Sequence, residues 1–374
     1  MIIGVPTEVK NNENRVGLTP HSVKKIVDYG HDVLIQNNAG ANIGFFDDQY
    51  KNAGARIIDS AEEVYKSSEM VVKVKEPIPD EYKFLNSDLT LFTYLHLAGD
   101  PENAKKLIDT GVTGIAYETV TSSDGSMPLL APMSTIAGQL AFVVGSYHLL
   151  KHNKGKGVMI GHMDDMDPRV VTVIGAGVAG TQSILKAIDN KALVKVVDSS
   201  QSKLDDLKSK YGTKNIEYIL STKDSIQVSV NESDLVIGSV YVVGKEAPKV
   251  VTKEMLSSMN PGTVMVDVSI DQGGCFETSK PTTHDSPTFL ENEIVHYCVT
   301  NMPGAVPLTA TEALNKVSLS YVENLANNGI QNALESDAHL RNGLNILDGR
   351  IVHPGVKEAL ELSLIHISEP TRPC

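Results

Sequence analysis

The stretch RVVTVIGAGVAGTQSILKAI, Arg169 to Ile188, lies near the middle of a 374-residue chain and decides how the rest is read. An apolar run, Val170 to Ile174, leads into Gly175-Ala176-Gly177-Val178-Ala179-Gly180 and then into a segment of helical pattern. That order is a strand, a tight turn and a helix. In a dinucleotide-binding unit the first glycine makes the turn, the second lets backbone approach a pyrophosphate, and the third allows close helix–strand packing. The phosphates then meet the helix N-terminus, where N–H groups and the helix dipole favour an anion. Three glycines alone are weak evidence, because any strand-to-helix turn can use them. The following segment, ALVKVVDSS, strengthens the reading. It ends near Asp198, 18 residues beyond Gly180, where a carboxylate can accept from adenosine ribose hydroxyls. No arginine follows directly, so Asp198 favours NAD over NADP, whose extra phosphate would face its negative charge.

Composition limits the remaining choices. The chain is long enough for two domains with sizeable cores. Its 41% hydrophobic and 21% charged content are those of an ordinary globular protein. With 33 basic and 46 acidic residues the net charge is −13, which argues against a nucleic-acid or anionic-membrane partner. Cys275, Cys298 and Cys374 show neither metal spacing nor an even framework, so reduced thiols in a cytoplasmic protein and no metal site are expected. The start, MIIGVPTEVK, lacks the basic and apolar regions of a signal peptide, and no apolar run is long enough to span a bilayer.

From residue 1 onward apolar strand-like segments (MIIGVP, HDVLIQ, ARIID, MVVKVK, LTLFTYLHL, VTGIAYE) alternate with helical ones (PHSVKKIVDYG, DDQYKNAG, AEEVYKS, PENAKKLIDTG). Such alternation implies a parallel sheet wrapped by helices. Thr19-Pro20 and Asp100-Pro101 each place a cap residue before a first-turn proline. A long apolar-rich helix is expected over residues 133–151, a second strand ladder from Val170 to about Met302, and helices thereafter. The expected fold class is α/β, with two Rossmann-like lobes of doubly wound parallel sheets. An NAD-binding domain, residues 131–304, is inserted in a discontinuous substrate domain, residues 1–130 and 305–361, and the cleft between them is the expected active site. Residues 362–374, LSLIHISEPTRPC, break the preceding pattern and are expected to be a non-native tail.

In doubly wound sheets ligands sit beyond the carboxyl ends of strands, so polar residues there carry most weight. Arg15 lies in a loop after the first strand, where arginine is ordinarily solvated. Lys75 closes a buried-type strand before a proline turn, where lysine often only snorkels to water. His96 follows a strongly apolar strand, a place more often taken by a satisfied core histidine. Taken together the three have a chemical sense. A guanidinium that can grip a carboxylate bidentately, a point cation and an imidazole suit a small α-substituted carboxylic acid.

VPTEVKNNENRVGLTP, VKVKEP, LHLAGD, AYETV with PLLAPMS, GVMIG, VIGAGVAG, VDVSIDQGGCFE and YCVTNMP together resemble the alanine dehydrogenase family over nearly the whole chain. The resemblance implies reversible oxidative deamination of L-alanine to pyruvate and ammonia with NAD. It places Arg15 and Lys75 on the substrate carboxylate and carbonyl, His96 as acid/base, and Asp271 beside the reacting carbon. Ser134, Gly175, Gly177, Gly180, Asp198, Lys203, Ser221, Asn301 and Met302 would line the NAD site, and the typical assembly would be a homohexamer. Two segments depart from the family pattern: HMDDMDPRV, where relatives have a glycine- and valine-rich connection, and IDNKALVKVVD, which lacks the usual glycine before its strand. Related readings of the same motifs are the nucleotide-binding portion of a proton-translocating transhydrogenase, an opine- or saccharopine-type dehydrogenase, and a non-enzymatic NAD-responsive module.

Overall fold

The computed structural model describes residues 1–242 and 246–368. The chain forms two compact units, the first taking Met1–Met133 and the chain from Val306 on, the second Ser134–Ala305. In chain order the strands are β1 (Ile2–Val5), β2 (Asp32–Gln36), β3 (Arg56–Ile58), β4 (Met70–Val72), β5 (Thr90–Thr93), β6 (Thr113–Ala116), β7 (Val170–Ile174), β8 (Leu193–Asp198), β9 (Ile216–Leu220), β10 (Leu235–Gly238), β11 (Val264–Asp267), β12 (Thr288–Glu291), β13 (Ile294–Tyr297), β14 (Leu344–Leu347) and β15 (Arg350–Ile351).

The first unit's sheet runs β15-β14-β6-β5-β4-β1-β2-β3 and the second's β12-β13-β11-β10-β7-β8-β9. Each has a parallel body whose order reverses beside its first strand, at β1/β4 and at β7/β10. That reversal opens a crevice at the carboxyl ends of the strands, the usual ligand position in an open α/β sheet. The α/β doubly wound class therefore holds, with one correction. Neither sheet is wholly parallel, because β14, β15 and β12 add antiparallel pairs at the edges.

The central strands are mostly apolar along their length because helices cover both faces. β4, β5, β10 and β11 are buried at every residue. Fully buried residues such as Ile3, Val71, Leu91, Val173 and Ile237 each stabilise by roughly 1.5–3 kcal/mol relative to exposure. Thr19 and Asp100 cap their helices as their sequence settings imply, accepting from Ser22 N–H at 3.2 Å and Asn103 N–H at 3.0 Å. The long apolar helix occupies Ala131–His148, ending earlier than expected, and a separate 3-10 turn covers Lys151–Asn153. The final helix, Pro354–Ser368, continues past the point where the sequence pattern breaks; residues 369–374, with Cys374, lie outside the described residues.

The missing glycine before β8 has a structural counterpart. Helix Val178–Asp189 ends in a Schellman motif, with Lys191 N–H on Ile188 O at 2.9 Å and Ala192 N–H on Ala187 O at 3.0 Å. Lys191 occupies its left-handed position at φ 60°, where glycine has no Cβ to clash. The motif forms despite the lysine, and the cost is conformational. Replacing exposed Lys191 with glycine should therefore stabilise the protein by about 1 kcal/mol, the usual penalty for an L-residue in this region less the extra chain entropy of glycine. Thermal denaturation checks this; an unchanged or lower midpoint would show that the lysine sits there without strain.

Candidate active site

In the first unit Arg15, Lys75 and His96 lie in the segments that follow β1, β4 and β5. The loop after β1 is pinned before it reaches Arg15. Gly17 passes so close to β4 that a Cβ there would stand 2.3 Å from Val72 O. The helix Pro307–Asn328 holds the loop from the other side: Asn315 Oδ1 accepts from Thr19 N–H at 2.9 Å and from Ser22 Oγ at 2.7 Å, while its amide donates to Gly17 O at 3.2 Å. The returning C-terminal segment thus fixes an N-terminal loop.

Arg15 is not the solvated residue its loop setting implies. It is 2% exposed, and Glu13 grips it bidentately, Nε to Oε1 at 2.7 Å and Nη2 to Oε2 at 2.5 Å. Its Nη1 faces Met133 Sδ at 3.2 Å. Burial works against the guanidinium charge, but the Glu13 carboxylate outweighs it and holds the group above its ordinary range. Removing one partner of such a pair leaves a charge buried alone, which costs far more than the pair contributes.

Lys75 lies three residues beyond β4, in a bend, and not at the strand's last residue. The buried lysine of VVKVKEP is Lys73, which pairs with Glu81 at 2.7 Å and Glu8 at 3.6 Å; Tyr65 OH also donates to Glu81 at 2.7 Å. Glu8 also accepts from Val74 N–H at 2.6 Å and Lys75 N–H at 3.4 Å, so the buried triad sets the path by which Lys75 emerges. Burial, only partly offset by Lys73, pushes the Glu8 carboxyl up. Next along, Glu76 is ion-paired with Lys10. Burial would raise its carboxyl, yet the fields of Lys75, His96 and Lys10 together hold it below the ordinary range, which places Lys75 and His96 in one electrostatic neighbourhood.

His96 likewise lies three residues beyond β5 and is half-buried, not sealed in the core. Its backbone is left-handed, φ 49° and ψ 32°, a conformation that residues with a Cβ seldom adopt and that gathers at functional sites. The imidazole stacks on Tyr94, ring centroids 5.7 Å apart and planes 13° from parallel, and Tyr94 OH is anchored on Leu129 O at 2.6 Å.

The second unit carries the glycine turn at the β7/β10 reversal. Gly175 has φ 97°, which a side chain would strain. A Cβ on Gly180 would fall 1.8 Å from Gly175 O and 2.6 Å from Ser239 Oγ, so helix Val178–Asp189 seats on the turn only with glycine there. Gly177, its N-cap, brings no side-chain cap, and a Cβ there would meet nothing within 4 Å. Open space in front of uncapped helical N–H groups is what a pyrophosphate needs, so these residues fit a dinucleotide. Asp198 ends β8 as expected, and its carboxylate is engaged within the fold. Its Oδ2 accepts from Ala176 N–H at 2.7 Å and its Oδ1 from Ser200 N–H at 2.8 Å, bracing the glycine turn itself.

The other cofactor candidates follow neighbouring strands. Ser221, after β9, donates its N–H to Asp198 O at 2.9 Å, and Lys203 lies exposed in the first turn of the next helix, Gln201–Tyr211. Ser134 is half-buried in helix Ala131–His148. Asn301, at φ 57°, and buried Met302 follow β13. Asp271 does not end a strand. It is exposed in the 3-10 turn Val268–Gln272 beyond β11, where its Oδ1 accepts from Asn301 N–H at 3.3 Å. The strand-end aspartate is Asp267, buried and accepting from Ser269, Cys275 and Phe276 N–H groups and from Ser279 Oγ. Asp267 therefore takes the structural turn role that is the ordinary use of an aspartate beside glycines.

Cys275 and Cys298 are buried free thiols. Burial lifts the first far above its ordinary range and the second to about 12, so neither supplies a thiolate. Among the described residues no cluster of three His, Cys, Asp or Glu could hold a metal ion, and no helix is long and apolar enough to cross a membrane.

Sequence reasoning overlooked Glu8, Glu13, Lys73, Glu81 and Glu118. The available signal was a lysine inside an apolar run, two residues before the one singled out, since a lysine buried in a strand demands acidic partners.

Comparison with known proteins agrees with this geometry. Residues 4–137 match the family model of the alanine dehydrogenase/PNT N-terminal domain and residues 141–354 that of its C-terminal domain. The chain is 46% identical over 365 residues to the alanine dehydrogenase of Halomonas elongata, covering 98% of both chains. It is 45% identical over 362 residues to that of Mycolicibacterium smegmatis, covering 97% of both. A solved L-alanine dehydrogenase superposes with a TM-score of 0.91 at 46% identity, over 96% of this chain and 99% of that one. A transhydrogenase from Sinorhizobium meliloti, at 23% identity and TM-score 0.79 over 95% and 99% of the two chains, shares the fold.

Asp198 braces the glycine turn and is expected at the ribose, so Asp198→Gly should raise the KM for NAD by about tenfold, the scale of one or two charge-assisted hydrogen bonds, and narrow the preference over NADP. Parallel titration with both cofactors checks this, and an unmoved ratio would remove Asp198 from the ribose site. Fold, site chemistry and full-length similarity converge, and the chain belongs to the alanine dehydrogenase/PNT family.

Proposed function

We propose that this protein is an NAD-dependent L-alanine dehydrogenase, interconverting L-alanine with pyruvate and ammonia. The observation that carries the proposal is that the segments following three neighbouring strands of one sheet, β1, β4 and β5, present a buried guanidinium, a lysine and a left-handed histidine.

In this reading Arg15 holds the substrate carboxylate. Its Glu13 partner fixes the plane of the guanidinium, so the orientation of the α-carbon is set before substrate arrives. Lys75, led out by the Glu8 clamp, polarises the oxygen that becomes the pyruvate carbonyl. His96 takes and returns the protons that carbinolamine formation and collapse require, a task suited to an imidazole, which titrates near neutrality. When bound, NAD supplies the acceptor for the hydride leaving the α-carbon. Gly175, Gly177 and Gly180 are assigned to the pyrophosphate, Asp198 to the ribose, and Ser134, Lys203, Ser221, Asn301 and Met302 to the remaining cofactor contacts. Asp271 keeps the catalytic role implied by the resemblance, its carboxylate oriented through Asn301 N–H. The first unit is thus read as the substrate domain and the second as the NAD domain. The family likeness supports a cytoplasmic homohexamer serving alanine catabolism, and the net charge of −13 supports small-molecule substrates over nucleic acid.

The direct assay is NADH formation from L-alanine, with transhydrogenation and pyruvate-plus-lysine consumption as controls; activity only in a control would replace the proposal. His96→Asn should lower turnover in both directions by about a hundredfold or more while NADH binding persists. Retained turnover with a lowered melting temperature would return His96 to a packing role. Arg15→Lys should raise the KM for alanine and pyruvate by roughly tenfold, because a point charge reproduces neither the grip on the carboxylate nor the Glu13 fork. It should also lower the melting temperature, and unaltered kinetics would place the substrate elsewhere.

A further inference from the structure

The loop that carries His96 is met by a carboxylate from the neighbouring strand end, one that the proposed mechanism does not use. Glu118 sits in the short 3-10 turn Tyr117–Thr119, directly after β6. β6 neighbours β5 in register, Thr93 opposite Ala116, so Glu118 projects from one strand end toward the next. Its Oε1 accepts from His96 N–H at 2.6 Å and from Leu95 N–H at 3.2 Å, and its Oε2 lies 3.3 Å from Leu95 N–H. Two successive amides thus turn toward one carboxylate.

The left-handed conformation of His96 provides the reason. A residue at positive φ curls the chain so that consecutive N–H groups face the same side, forming a concavity suited to an anion. Left to water, the same segment would relax toward the ordinary helical or extended regions, since a Cβ is disfavoured at positive φ. A carboxylate supplied by the neighbouring strand makes the curled form the one in which two donors are satisfied by a full negative charge. The opposite side of the residue is also held. The imidazole lies against Tyr94, whose ring meets Tyr117 edge-on with centroids 5.0 Å apart, and Tyr117 immediately precedes Glu118 in the chain. Backbone and ring of His96 are therefore both fixed from the β6 end.

We propose that Glu118 is the positioning residue for His96, clamping its left-handed backbone so that the imidazole keeps the orientation needed for proton transfer. The inference rests on reading His96 as the acid/base. Glu118 acts through His96 and needs no contact with substrate, so its loss should appear in kcat and leave binding intact.

The test is a double-mutant cycle of E118Q and H96N in the full-length protein. Deamination and amination rates, the KM for alanine and the Kd for NADH are measured on all four proteins. Glutamine keeps one acceptor oxygen but sets an amide N–H against backbone donors. E118Q alone should lower kcat by about tenfold or more, with KM for alanine and Kd for NADH within about twofold of the parent. In the H96N background E118Q should cost nothing further, because residues acting as one unit are non-additive. If E118Q does not fold, E118D, which keeps the charge on a shorter arm, carries the same cycle. An equal fractional loss in both backgrounds would overturn the proposal, as would a loss confined to the KM for alanine or no loss at all. If H96N itself keeps its turnover, the acid/base reading of His96 fails and takes this inference with it; if H96N is inactive and E118Q is silent, only the inference fails.

Discussion

A charge taken out of water must find its counter-charge in the protein, and the carboxyl edge of the first sheet is organised by that constraint. Two buried ion-pair arrangements and one partly buried carboxylate meet it there. Lys73 lies between Glu8 and Glu81, Arg15 lies in the fork of Glu13, and the amides around His96 close on Glu118. Each arrangement lies in a segment that follows a different strand, and each restrains one of the candidate side chains or its backbone. Lys75 emerges where Glu8 holds Val74 and Lys75 N–H, and the Arg15 plane follows the Glu13 carboxylate. Such pairs contribute little net stability against an apolar alternative, yet breaking one is costly. Their value here lies in orientation.

The second unit applies the same economy with backbone in place of charge. Gly180 lets a helix sit against Gly175 O, and Asp198 accepts from Ala176 N–H across the turn. One carboxylate therefore shapes the turn proposed for the phosphates and is itself the residue proposed for the ribose. A turn preformed in this way binds without first ordering itself, which preserves affinity that would otherwise be spent on conformational entropy. Asp267 shows the contrast. It accepts from four neighbouring residues and is buried, so it serves the fold, whereas exposed Asp271 is tied only through Asn301 N–H among the described contacts.

Much of this architecture was legible in the residues. Alternating apolar segments with capped helices led to two doubly wound sheets, and three glycines located the strand-to-helix turn that Asp198 braces, because period, caps and glycines are local signals. The antiparallel edge strands β12, β14 and β15 were not legible, since edge pairing depends on where distant segments return. Arg15, Lys75 and His96 could be singled out, but their environments could not. A loop arginine looks solvated until Glu13 and Met133 enclose it, and positive φ at His96 has no sequence signature of the kind a glycine provides. Lys73 was the overlooked clue. Two lysines at a spacing of two in a segment that reads as an apolar strand would share one side, so both required an explanation.

The central claim is that the carboxylate, carbonyl and proton-transfer positions of the substrate are preset by Arg15, Lys75 and His96. A crystal structure of the protein with NADH and pyruvate tests it most directly. The account predicts the pyruvate carboxylate within hydrogen-bond distance of the Arg15 guanidinium, the carbonyl oxygen within reach of both Lys75 Nζ and the His96 imidazole, and His96 still at positive φ. Pyruvate held by other residues, or His96 relaxed to negative φ in the complex, would contradict it.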